Sequence, residues 1–151
     1  MSRDAPLGPA GTDLVLASLE AAAELGGDIV PLVYRRLFDE RPDLLTIFAT
    51  ETAASPRSGM GNMVNEILRL LLAGSGDELE NEAQAAVVFH VGWGLDFAMY
   101  SDVLSAVMHA VEEACGTHWT EAMARAWHER LEQVLGVLRR QYGLIEGPAG
   151  A

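Results

Sequence analysis

Lysine is missing altogether. All 10 basic residues are arginine, against 22 acidic ones, and the formal net charge is −12 over 151 residues. Such a surface lacks the positive footprint that displaces counterions from nucleic acid, and anionic lipid headgroups repel it, so neither nucleic acid nor a membrane is an expected partner. Cysteine is reduced to Cys115, which cannot close an internal disulfide, so a small disulfide-stapled scaffold is excluded. Long apolar runs are also lacking. The uncharged stretch 83–95 falls far short of the roughly 20 apolar residues a spanning helix needs, and the opening residues MSRDAPLGPAGTD carry no apolar core of a signal peptide. The expected compartment is the cytoplasm.

What is present is a hydrophobic half: 50% of residues are apolar, too many for a disordered chain. A chain of this length makes one domain and buries roughly 68–70% of its unfolded surface. Gly and Pro gather at both ends, so residues 1–11 and 143–151 read as flexible segments around a domain of 12–142.

Inside that domain the apolar spacing is helical, and nowhere does it alternate with a period of two. Thr12 or Asp13 caps a first helix that Gly26-Gly27 stops. A second starts near Asp28 with Pro31 in its first turn, where a missing N–H costs little, and its stripe is Val30, Val33, Tyr34, Leu37 and Phe38. A short helical piece follows over 42–48, then a polar loop over 49–58. A helix over 59–73 carries Met60, Met63, Val64, Ile67, Leu68 and Leu71 on one face. The next, over 77–90, aligns Leu79, Ala83, Ala86, Val87 and His90. Tyr100, Val103, Leu104, Val107, Met108, Val111 and Cys115 form another stripe, ended by Gly116. Thr117 or Thr120 caps the last helix, whose stripe is Trp127, Leu131, Val134, Leu135, Leu138 and Tyr142. The expected fold is all-α, with six or seven helices.

Common catalytic signatures fail. Gly74-Ser75-Gly76 is followed by Leu79 where a dinucleotide loop needs glycine, and it follows a helix. His128-Glu129 begins a zinc-protease string, but Glu132 stands where the second histidine should be. There is no nucleophile elbow. His90 is different: it ends an apolar stripe inside AAVVFHVGW, a string without charge. An imidazole there is either a core histidine bonded to a backbone carbonyl or an axial ligand to haem iron. His109, His118 and His128 read as solvated residues, and Cys115 as a small buried hydrophobe.

The wider spacing favours the second reading of His90. YRRLFDERPDLLTIF at 34–48, HVGWGLDFAMY at 90–100 and the Thr120, Ala126 and Trp127 pattern of the last helix together resemble the bacterial single-domain globins and the globin domain of flavohaemoglobins. The likeness runs from about residue 13 to 142. It implies a globin-like fold around a haem b pocket, with His90 as proximal ligand and Tyr100 ten positions on. It implies that Phe48 packs on the macrocycle and that Tyr34 donates its O–H to bound O2. Arg57 is the candidate partner for a haem propionate. The distal positions fall on Gly59 and Met63, or on Ser58 and Asn62 with a shift of one, so no long hydrogen-bonding side chain stands there. The glutamate those proteins carry late in the last helix falls on Tyr142.

The resemblance thus implies binding of O2, NO or CO, with nitric oxide dioxygenase-type activity served by an external electron donor; a homodimer is an assembly left open. Two alternatives stand beside it. One is a haem enzyme acting on a larger organic substrate, peroxidase-like or biosynthetic, which the small Gly59 and adaptable Met63 motivate. The other is a haem-free sensor or interaction module.

Overall fold

A computed structural model describes residues 9–43, 56–73, 76–91 and 97–146, with side chains over 13–43, 64–73, 76–88 and 97–144. These residues form six long helices: α1 (Pro9–Gly26), α2 (Val30–Glu40), α3 (Pro56–Leu71), α4 (Gly76–Val91), α5 (Phe97–Cys115) and α6 (Glu121–Glu146), with a 3-10 turn at Gly116–His118. No strand occurs among the described residues, so the all-α expectation is met. No helix among them is long and apolar enough to cross a membrane.

The local chemistry explains the boundaries. Gly27 at φ +74° and Gly116 at φ +55° adopt the left-handed conformation that ends α1 and α5 with no Cβ penalty. The Asp28 carboxylate accepts the Val30 N–H at 3.0 Å where α2 begins, and Pro31 sits in that first turn. Of the two threonines open to cap α6, Thr120 is used: its hydroxyl accepts the Met123 N–H at 3.0 Å. Three helices outrun their expected bounds. α1 starts at Pro9, whose fixed φ suits a first helical position, so residues 9–11 are helical. α3 starts at Pro56 for the same reason, taking in the end of the expected loop. α6 runs through Gly143 to Glu146, because one glycine costs a helix only about 1 kcal/mol. The expected helical piece over 42–48 and the loop over 49–55 lie mostly outside the described residues; Pro42 and Asp43 are helical.

α1 packs across α5 and α6, α2 lies on α5, and α4 lies on α6. The α1–α5 crossing is close at Gly26, where an added Cβ would sit 2.7 Å from the Ala114 Cβ. The core follows the apolar stripes: Val33, Tyr34 and Leu37 of α2, Val64, Ile67 and Leu71 of α3, Leu79, Ala83 and Val87 of α4 are all buried. The α5 stripe from Tyr100 to Cys115 is buried throughout, as are Trp127, Leu131, Val134, Leu138 and Tyr142 of α6. Burial of this kind is worth roughly 1.5–3 kcal/mol per large side chain.

Two polar groups inside the core fasten helices together. Trp127 donates its indole N–H to the Ser18 hydroxyl at 2.7 Å, that hydroxyl donates to the Val15 carbonyl at 2.6 Å, and the Cys115 thiol donates to the Ser18 carbonyl at 3.2 Å. One serine thus joins α1, α5 and α6. Arg130, buried on α6, donates to the Leu71 carbonyl at 2.6 Å and to the Ala73 carbonyl, so a guanidinium caps the C-terminal end of α3.

Candidate functional site

Tyr34 lies on the inner face of α2, buried between Val33 and Leu37, with its ring 5.4 Å from that of Phe38. Its place follows from the helical register, which puts 30, 33, 34 and 37 on the side facing α5. Tyr100 opens the buried stripe of α5 and meets Tyr142 of α6 edge-on, ring centroids 6.0 Å apart at 69°. Phe97 meets the same Tyr142 ring at 6.4 Å and 77°, and the Arg139 guanidinium lies 4.8 Å over Phe97. The start of α5 is therefore clasped to the end of α6 by three rings and a cation.

Burial is the main reason Tyr100 holds its proton well above the ordinary tyrosine range, with Tyr142 and the Glu66 carboxylate of α3 adding to it. Tyr100 is accordingly a neutral O–H group at every physiological pH. Cys115, buried at the other end of α5, is raised by desolvation alone and reads as an inert thiol.

Position 90 falls in the last turn of α4, three residues after Val87, so it continues the register of the buried residues Leu79, Ala83 and Val87. The imidazole itself lies outside the described side chains, as does the side chain of Met63; Gly59 and Met63 both fall within α3. The register of buried Val64 and Ile67 runs back through 60 and 63. Phe48 lies outside the described residues. The structure thus brings Tyr100 together with Tyr142 and puts Tyr34 in the same core from α2.

α4 is held on α6 by polar contacts at its outer edge. Glu80 accepts from Arg140 and, at 2.8 Å, from Gln141. The remaining histidines stay outside: His118 and His128 are exposed, and half-exposed His109 pairs with Glu112 at 3.4 Å. Among the described residues, no three of His, Cys, Asp or Glu gather into a metal-holding group. A solvent-open cleft of about 390 Å³ between α3 and α4, lined by Asn65, Arg69, Glu78 and Glu82 over Leu68 and Leu72, includes none of the expected site residues.

Two contributors escape a reading by sequence pattern. Arg130 falls three residues after Trp127 on the apolar face of α6, and a cation in such a stripe was the signal that it serves buried carbonyls. The charge of Glu66 acts on Tyr100 from another helix, which no local spacing encodes. No protein-family model matches the chain, and no curated protein matches it in sequence.

Proposed function

We propose that this protein is a haem-binding, globin-like protein that takes a small polar gas molecule, O2, NO or CO, at an iron ligated by His90. The observation that supports it best is the placement of two phenols in one core: Tyr34 from α2 and Tyr100 from α5, both buried, with α4 carrying position 90 at the end of its own buried stripe. The donor chemistry fits haem. A lone imidazole in an apolar string suits an iron whose other in-plane ligands come from a macrocycle.

In this reading His90 holds the iron, Tyr34 is the donor to the gas ligand, Gly59 and Met63 leave room beside it, and Phe48 packs on the ring. The haem supplies reversible binding of diatomic molecules and one-electron chemistry. The chain supplies the surroundings. A phenol O–H in an apolar interior makes a stronger hydrogen bond than in water, so Tyr34 favours polar O2 over CO. Neutral Tyr100, meeting Tyr142 edge-on, holds the start of α5 against the end of α6. Electrons for any nitric oxide dioxygenase cycle come from a separate donor. An acidic surface with no lysine favours a donor with a basic face.

Tyr34→Phe tests the assignment of the gas-binding side. Loss of one hydrogen bond, about 1.4 kcal/mol, speeds O2 dissociation from the ferrous protein about tenfold and leaves CO dissociation nearly unchanged. Equal O2 release by both proteins, measured by stopped flow, removes Tyr34 from the site.

A further inference from the structure

The cleft between α3 and α4 has walls of opposite charge. Helical register puts Asn65 and Arg69 of α3 on one wall and Glu78 and Glu82 of α4 on the other, and half-buried Leu68 and Leu72 form an apolar floor. Its volume of about 390 Å³ is that of a small-molecule site. Arg69 is set apart from most of the arginines. Arg35 and Arg36 share Glu113, Arg41 takes Asp43 and Asp102, Arg140 takes Glu80, Arg130 takes two carbonyls and Arg139 lies on Phe97. Among the described residues the Arg69 side chain has no such partner, and neither do those of Asn65 and Glu82. Glu78 differs, because its charge acts on Arg130. The cleft thus sets a cation and a carboxamide opposite an uncommitted carboxylate, over an aliphatic base.

We infer that this cleft binds a free α-amino acid with an aliphatic side chain. The Arg69 guanidinium and the Asn65 amide donate to the ligand's carboxylate, its ammonium donates to the Glu82 carboxylate, and its side chain lies on Leu68 and Leu72. A simple anion or a simple cation would satisfy one wall and leave the other bare. A zwitterion satisfies both and adds no net charge. The rim is open, so solvent screens both ion pairs and the affinity is modest, with Kd on the order of millimolar. None of the residues assigned to gas binding lines this cleft, so the amino-acid site stands independently of the haem.

The test titrates the isotope-labelled full chain with L-leucine and follows backbone amide shifts by NMR. Two analogues run beside it: isocaproate, which lacks the ammonium, and isoamylamine, which lacks the carboxylate. Leucine should give saturable shifts along the facing walls of α3 and α4, and each analogue should bind about fivefold more weakly. Arg69→Gln should weaken leucine and isocaproate about fivefold and leave isoamylamine unchanged. Glu82→Gln should weaken leucine and isoamylamine and leave isocaproate unchanged. Neither side chain is buried, so both variants should keep the parent's circular dichroism. Shifts that grow in proportion to leucine without saturating overturn the inference. Isoamylamine that binds as tightly as leucine overturns it too, since the cleft is then an acidic wall and no more. Leucine binding unaltered in both variants puts the amino acid elsewhere and overturns the assignment of the cleft.

Discussion

The junction of α1, α5 and α6 and the side built by α3 and α4 are fastened in different ways. At the junction, one serine receives the Trp127 indole and, through its carbonyl, the Cys115 thiol, and Gly26 lets α1 approach α5 at Ala114. Those bonds are buried and short, and they sit among close-packed apolar side chains. The α3–α4 side adds, to its buried apolar stripes, charged and polar ties to α6: Arg130 on the Leu71 and Ala73 carbonyls, Arg140 and Gln141 on Glu80 of α4. The helices that carry Gly59, Met63 and His90 thus share the apolar core and add these polar ties to α6. Local opening is expected first where a helix end rests on such ties, at the C-terminal turn of α3 and the outer edge of α4.

The largest expected effect breaks the locked junction. Trp127→Ala removes a fully buried indole and should cost about 3–5 kcal/mol, lowering the urea midpoint of the whole fold in one transition. Arg130→Ala should cost about 3 kcal/mol, since it leaves two buried carbonyls without donors. Its signature should be local: hydrogen exchange should quicken at the C-terminal turn of α3 ahead of α1. If both variants weaken α1 and α3 alike, the two regions are one cooperative unit and the contrast fails.

A smaller effect separates the aromatic clasp from both. An unfolded tyrosine ionises near pH 10, whereas Tyr100 in the fold keeps its proton far above that. The stability that burial gives is therefore complete below about pH 10 and declines above it, by at most about 1.4 kcal/mol per pH unit. Urea midpoints of the parent should fall between about pH 10 and about pH 12, and Tyr100→Phe should show a shallower fall.

Much of the fold could be read in the chain, because apolar stripes at helical spacing and glycine or threonine stops are local signals. The expected stripe of α5 is buried throughout and those of α2, α4 and α6 in most of their described members, with Val30, Phe38, Ala86 and Leu135 only partly covered, and Gly27, Gly116 and Thr120 end or start helices as their chemistry dictates. Boundaries near proline were harder, since Pro9 and Pro56 open helices where a breaker was the simpler expectation. Tyr34 and Tyr100 are legible in the sequence as members of apolar stripes, and both are buried as that spacing implies; a role at a haem comes from the resemblance alone. The Tyr100–Tyr142 contact spans 42 positions and depends on how α5 meets α6, which no spacing rule supplies. Ser18 shows the same limit: within α1 it is a small polar residue between Val15 and Ala22, and its partners arrive from two other helices.

The measurement that bears most directly on this account is an equilibrium titration of the purified chain with hemin, followed at the porphyrin band, beside His90→Ala. One hemin per chain, with a ferrous form that shifts on adding CO and a variant that loses that band, is the expected result. A chain that leaves hemin in free solution, or a His90→Ala variant that binds it with an unaltered spectrum, contradicts the account.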